Sequence, residues 1–151
     1  MNILLVYATN SGGTEMAAQL ITQQLAGHTV TMKRATEANL ADIQQAEVVL
    51  LGSPSWDYAG KEGQPHDDFH ALQGKIANTS LEGKKFAVFG LGDSSYKHFC
   101  GAVDEFETWI TGWKGILVIP SLKIDKFFYQ QAEATEAITG WCQKLTTALS
   151  G

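Results

Sequence analysis

The residues best suited to chemistry stand near the N-terminus, in Thr9-Asn10-Ser11-Gly12-Gly13-Thr14. They follow an unbroken apolar run, Ile3-Leu4-Leu5-Val6-Tyr7, and precede an amphipathic stretch beginning near Glu15. A buried strand, a tight turn and a helix in that order aim backbone N–H groups at one point. The hydroxyls of Thr9, Ser11 and Thr14 and the positive end of the helix dipole face the same point. Such a place suits a phosphate. No Lys or Arg lies within the turn, so its donors are neutral. That favours a phosphate belonging to a larger cofactor over capture of a free nucleotide. Read alone, the turn also fits a capped helix, where Ser and Thr are common.

Two later segments sharpen the reading. Ser53-Pro54-Ser55-Trp56-Asp57-Tyr58-Ala59-Gly60 follows the apolar run ending at Gly52. Gly92-Asp93-Ser94-Ser95-Tyr96-Lys97-His98-Phe99-Cys100-Gly101 follows a second such run ending at Gly90. Taken singly, the aromatics could cover the core and the glycines could shape turns. Gly90-Leu91-Gly92 is too short for a dinucleotide fingerprint and follows the wrong strand. Taken together, a neutral phosphate cradle beside aromatics on two other loops fits a planar ring with a phosphorylated tail. Stacking on such a ring adds roughly 0.5–1.5 kcal/mol to the area buried.

These loops need a frame that brings them together. Apolar runs place strands at 2–7, 29–34, 48–51 and 86–89, and a fifth at 116–119 that resumes at 122–124 after Pro120. The first is apolar throughout, as in a sheet covered on both faces. The second alternates, with Val30 and Met32 on one side, as an edge or near-edge strand does. Helical spacing places helices at 13–26, 37–45, 65–77, 102–113 and 129–149. Their inward residues include Ala17, Leu20, Ile21 and Leu25; Leu40 and Ile43; Phe69, Leu72 and Ile76; Val103, Phe106, Ile110 and Trp113; and Ile138, Trp141, Cys142, Leu145 and Leu149. The stretch from Ser53 to Pro65 reads as irregular. Five βα units imply an α/β fold, a doubly wound five-stranded parallel sheet with helices on both faces. In such sheets the ligand lies beyond the carboxyl ends of the strands, where strand order reverses. The three unusual loops would meet there.

Length and composition set the bounds. The 151 residues fit one domain, residues 1–151. A net charge of −5 disfavours nucleic acid and anionic membrane surfaces as partners. No apolar run is long enough to span a membrane. The chain enters its first strand at once, without a signal-peptide pattern. Cys100 and Cys142 lie far apart, in no metal or redox spacing. A cytoplasmic location is the expectation. His28, His66, His70 and His98 read as solvated or locally hydrogen-bonded. His66 and His70 have helical spacing, but no third ligand is evident, so no metal is expected.

Leu5-Val6-Tyr7-Ala8-Thr9-Asn10-Ser11-Gly12-Gly13-Thr14-Glu15-Met16-Ala17-Ala18 resembles the N-terminal signature of flavodoxins. Phe89-Gly90-Leu91-Gly92-Asp93-Ser94-Ser95-Tyr96, followed by Phe99-Cys100-Gly101-Ala102-Val103-Asp104, resembles their third flavin loop. The likeness covers the whole chain. The fifth strand lacks the insertion of long-chain members, so the chain resembles a short-chain flavodoxin. The resemblance implies the flavodoxin-like strand order 2-1-3-4-5 and tightly but non-covalently bound FMN. By position, Thr9, Asn10, Ser11, Gly12, Gly13 and Thr14 would hold the phosphate. Trp56 would pack on the inner face of the ring, and Tyr96 would stack on the outer face. Ser53, Pro54, Ser55, Asp57 and Tyr58 would complete the second loop. Gly90, Gly92, Asp93, Phe99 and Cys100 would form the third, with N–H groups near Asp93 and Cys100 serving the pyrimidine edge.

The family shuttles single electrons between the semiquinone and hydroquinone of FMN, and the cofactor carries the reaction. A low potential follows if the anionic hydroquinone meets negative charge without a cationic partner. A unit charge about 8 Å away, at an effective dielectric near 20, costs about 2 kcal/mol, or roughly 90 mV for one electron. Lys97 is the nearest cation in sequence. Partners would be a flavodoxin or ferredoxin reductase and acceptor enzymes, and the chain would be a monomer. Cys100 reads as a buried structural thiol near the flavin.

The chain departs from the family after Trp56. Gly or Asn is common there, because the following peptide turns over on reduction and favours positive φ. Asp57 occupies the position here, so a less stabilised semiquinone is expected. Tyr58-Ala59-Gly60-Lys61 replaces a stretch that is often acidic, which weakens the expected acidic docking face. The alternative reading is a flavodoxin-like NAD(P)H-dependent quinone or nitro reductase, but no nicotinamide site is recognisable. A receiver domain needs acidic strand ends, and the chain has Gly52-Ser53 and Ala8-Thr9-Asn10 instead. Neither a P-loop nor a nucleophile elbow occurs.

Overall fold

Buried residues alternate between the two faces of each apolar strand, and that alternation builds the molecule. The computed structural model describes residues 1–95 and 99–150. The strands are β1 (Asn2–Tyr7), β2 (Thr29–Arg34), β3 (Val48–Pro54), β4 (Trp56–Tyr58), β5 (Lys61–Gln64), β6 (Lys85–Gly92), β7 (Ile116–Leu117) and β8 (Leu122–Asp125). The helices are α1 (Gly13–Gln24), α2 (Leu40–Gln45), α3 (Asp67–Ile76), α4 (Gly101–Gly112) and α5 (Gln131–Ser150). The main sheet runs β2-β1-β3-β6, with β7 and then β8 pairing parallel along the far side of β6. The expected order 2-1-3-4-5 is therefore found, its last strand being the split pair β7 and β8. Pro120, which has no N–H for the ladder, lies in the break.

Ile3, Leu5, Val48, Leu50, Ala87 and Phe89 point to one face, where α1 and α5 cover them. Leu4, Val6, Val49, Leu51, Phe86 and Val88 point to the other, where α2, α3 and α4 cover them. The edge strand β2 buries only part of Val30 and Met32, as its alternation predicts. Helix α2 begins at Leu40 rather than at residue 37. Asn39 accepts from the amide of Asp42, and Asp42 reaches back to the Asn39 amide, a reciprocal cap that sets the start. Helix α1 stops at Gln24, two residues before the expected end, and Leu25 turns in to bury completely.

The stretch expected to be irregular contains a hairpin. Strands β4 and β5 pair antiparallel, joining Trp56 to Gln64 and Tyr58 to Lys61. The hairpin rests on the start of α4, where Gly63 and Gly101 approach so closely that a Cβ on Gly101 would lie 2.5 Å from the Gly63 carbonyl oxygen. Gly63 itself has φ +68°. Two glycines distant in sequence thus create the contact, and local periodicity carries no sign of it. Among the described residues, no helix is long and apolar enough to cross a membrane.

Candidate cofactor-binding site

Strand register decides which loops can meet. Tyr7 lies opposite Gly52, Gly52 opposite Phe89, and Phe89 opposite Leu122. Pro54, Leu91 and Ile124 form the next row but one. The chain therefore leaves β1, β3, β6 and β8 along one edge of the sheet. Between the exits lies a cleft of about 260 Å³ lined by Thr9, Asn10, Ser11, Gly13, Thr14, Pro54, Ser55, Gly92 and Asp93. Leu91 and the segment Lys126-Phe127-Phe128-Tyr129 complete its walls.

The first wall is an open helix start. Gly12 takes φ +91°, a conformation that suits glycine, and no side chain caps α1. The Thr9 hydroxyl accepts from the Gly12 amide at 2.8 Å, which folds the turn back on itself. The amides of the first helical turn have no intrahelical acceptor, and the dipole adds positive character there. Thr14 is 2% exposed, whereas Asn10 and Ser11 are open to solvent. This geometry accepts an anion through neutral donors, so the phosphate end of FMN fits it.

The second loop spends its hydroxyls on structure. Ser53 is fully buried, donates to the Pro54 carbonyl at 2.7 Å and accepts from the His66 amide at 2.9 Å. Ser55 accepts from the Ala102 amide at 2.9 Å, tying the loop to the first turn of α4. Trp56 does not line the cleft; it follows Ser55, which does, and stacks on His66. The side chains of Asp57 and Tyr58 lie outside the described structure.

The third loop is pinned from two directions. The Ser94 amide and hydroxyl donate to the Asp125 carboxylate at 2.8 and 2.7 Å, and the Lys126 amide donates to the Gly92 carbonyl at 2.8 Å. Asp93 accepts from the hydroxyl and amide of Ser95, which hold its carboxyl below the usual range, and Lys126 lowers it further. Gly90 and Gly92 do other work: a Cβ on Gly90 would lie 2.6 Å from Val103, and one on Gly92 would lie 2.9 Å from the Cys100 amide nitrogen. That amide consequently sits directly over Gly92. Phe99 is half-buried against the second core. Tyr96, Lys97 and His98 lie outside the described residues, and with them the expected outer stacking ring and nearest cation.

Cys100 is fully buried with φ +49°, and its thiol faces the carbonyls of Gly90 and Ile124 at 3.6 and 3.8 Å. Burial pushes this thiol up to about 12 and that of Cys142 up to about 11. Both thiols should resist a thiol reagent at neutral pH until the chain is unfolded. A thiol held protonated stabilises the fold fully below its ordinary value of 9.0, and that contribution is lost as pH rises toward 12. The stability difference between wild type and Cys100→Ala should therefore shrink above pH 9. Denaturation midpoints measured across that range check it, and a constant difference would contradict it.

Residues 125–129 were not singled out by their sequence. Lys126 adopts φ +48°, and its carbonyl accepts from the amides of Tyr129 and Gln130 at 3.0 and 2.9 Å. The turn carries the Phe128 ring over the start of α1, 3.1 Å from where a Cβ on Gly13 would lie. Phe128 and Tyr129 remain 47% and 87% exposed. Three successive aromatics at the carboxyl end of the last strand were the available signal, since ligands in doubly wound sheets gather at that edge. Two of the histidines have local partners: His66 caps α3, and His70 meets the Trp109 ring edge-on at 5.4 Å; His98 lies outside the described residues.

The family model for flavodoxin matches residues 5–141. A flavodoxin of Maridesulfovibrio salexigens is 37% identical over 125 residues, 81% of this chain and 84% of the relative. A flavodoxin of Nitratidesulfovibrio vulgaris is 32% identical over 151 residues, 98% of this chain and 99% of the relative. The crystal structure of oxidised flavodoxin 2 from Bacillus cereus superposes with a TM-score of 0.83 at 30% identity, covering 94% of this chain and 95% of that one. Sequence, fold and cleft agree, and the chain belongs to the flavodoxin family, electron-transfer proteins that carry FMN and are not enzymes.

Proposed function

We propose that residues 1–151 form one FMN-binding unit of the short-chain type, working as a low-potential one-electron carrier between a reductase and acceptor enzymes in the cytoplasm. The observation that carries the site is the open start of α1 facing a cleft into which the loops of β1, β3, β6 and β8 all lead. FMN, when bound, supplies the one-electron chemistry. The turn from Thr9 to Thr14 holds its phosphate. Pro54 and Ser55 border the path to the ring, Trp56 covers one ring face and Tyr96 the other. The amides near Asp93 and at Cys100 serve the pyrimidine edge, with Gly92 small enough to admit them. Asp93 adds negative charge at the rim, which opposes reduction, and Lys126 partly offsets it. The partners are a flavodoxin or ferredoxin reductase and acceptor enzymes, and the carrier acts as a monomer.

The proposal is tested by titrating the FMN-free protein with FMN and with riboflavin while following flavin fluorescence. One equivalent of FMN should bind far more tightly than riboflavin. Equal affinity for the two would remove the phosphate from the first turn.

Asp57 gives a second test. The register shifts between Trp56 and Tyr58, so Asp57 sits at an irregularity in the hairpin ladder. A peptide there is freer to turn than one inside a regular ladder, and glycine lowers the strain of positive φ by about 1 kcal/mol. Asp57→Gly should raise the amount of one-electron-reduced protein in an anaerobic titration by about fivefold, the equivalent of that energy. No increase would show that this peptide does not limit the intermediate.

A further inference from the structure

We propose that His66 is a positioning residue for the flavin site, a fixed plate that sets the pose of Trp56. This rests on the reading that Trp56 covers one face of FMN. The imidazole and indole rings stack with centroids 4.8 Å apart and planes 17° from parallel. The indole Nε1 is buried and has no hydrogen-bond partner among the described residues. Among those residues the stack on His66 is what sets the angle of the Trp56 ring. His66 is bonded from both ends. Its amide donates to the buried Ser53 hydroxyl at 2.9 Å, at the carboxyl end of β3. Its Nδ1 accepts from the Asp68 amide at 3.1 Å, capping α3, with the Asp68 carboxylate at 3.5 Å. The His66 side chain is only 13% exposed. Hydrogen bonds thus anchor the His66 backbone to the main sheet and its imidazole to α3, and the anchored ring backs one face of the indole. On the reading that Trp56 covers the flavin, the cofactor would meet the opposite face of the indole.

Two substitutions separate the plate from the cap. His66→Asn keeps a good N-cap but removes the ring. His66→Phe keeps an aromatic plate but removes the acceptor, which lowers the denaturation midpoint. Each variant of the full chain is loaded with FMN. The readouts are FMN affinity, visible circular dichroism of the bound flavin, midpoint potential and denaturation midpoint. His66→Asn should weaken FMN binding about tenfold, change the flavin dichroism and shift the potential, with affinity falling more than stability. His66→Phe should be the less stable protein yet keep near-wild-type affinity and dichroism. Affinity losses that simply follow stability would overturn the proposal, as would a His66→Asn protein with unchanged dichroism and potential. Trp56→Ala separates the two levels of the claim. If it weakens FMN binding while His66→Asn does not, the positioning role fails and the site reading stands. If it leaves affinity and dichroism unchanged, Trp56 is not on the flavin and both fail.

Discussion

Replacing Ser11 by aspartate is expected to weaken FMN binding at least about a hundredfold while hardly changing the affinity for riboflavin. Ser11 lies in the first turn, exposed to solvent and lining the cleft, so the substitution should leave the fold intact. The turn offers only neutral donors to a phosphate bearing between one and two negative charges. A carboxylate about 5 Å from one such charge costs about 3 kcal/mol at an effective dielectric near 20. Each 1.4 kcal/mol is about tenfold in affinity. Riboflavin lacks the phosphate and escapes the repulsion. Titrating the variant with both flavins checks the claim, and Ser11→Ala controls for loss of the hydroxyl. A similar loss for both flavins would mean that the turn does not hold the phosphate.

The largest effect on stability is expected from Gly52→Ala. A Cβ on Gly52 would lie 2.0 Å from Cζ of Phe89 and within 2.5 Å of both its Cε atoms. Phe89 is opposite Gly52 on the neighbouring strand, fully buried, with the Trp141 ring edge-on at 6.3 Å. The ring can retreat only into filled space, so the added methyl must bend β3 away from β6. Overpacking in tight cores costs about 1–3 kcal/mol, and an overlap this deep belongs at or above the upper end. Against a typical domain stability of about 5–15 kcal/mol, that is a large fraction. Urea denaturation of the FMN-free protein measures it. Because the cause is one pair, Phe89→Leu should restore part of the loss when combined with Gly52→Ala, giving a favourable coupling energy in a double-mutant cycle. An unchanged midpoint, or strict additivity, would contradict the pairwise explanation.

The sequence disclosed most where chemistry is local. Strands β1 and β2 fall on their expected residues because apolar runs and alternation need no distant partner to be read. Helix faces were legible for the same reason: Phe69, Leu72 and Ile76 are buried as helical spacing requires. The strand, turn and helix of the first loop were legible because they are written in adjacent residues; that no side chain caps α1 was not. The hairpin β4–β5 was not, because Gly63 meets Gly101 only after α4 has docked. The stretch Lys61-Glu62-Gly63-Gln64 carries no apolar alternation of its own. The wall formed by Lys126-Phe127-Phe128-Tyr129 is not legible, because helical spacing extends back to Tyr129 whereas α5 starts at Gln131. Phe127 buries, the Lys126 turn swings toward the cleft, and Phe128 reaches Gly13 at the start of α1. Lys97, the nearest cation in sequence, lies outside the described residues; among the described residues the cation on the cleft wall is Lys126. His66 was read as locally hydrogen-bonded, and it is; its stack on Trp56 depends on the hairpin and could not be seen without it.

The central claim is that this cleft makes FMN a one-electron carrier, and an anaerobic reductive titration of the loaded protein tests it most directly. The full visible spectrum is recorded as reducing equivalents are added. Long-wavelength absorbance of a one-electron-reduced flavin should rise and then fall before the protein bleaches, with Asp57→Gly enlarging the rise. Direct bleaching in a single two-electron step, in the wild type and in Asp57→Gly alike, would contradict it.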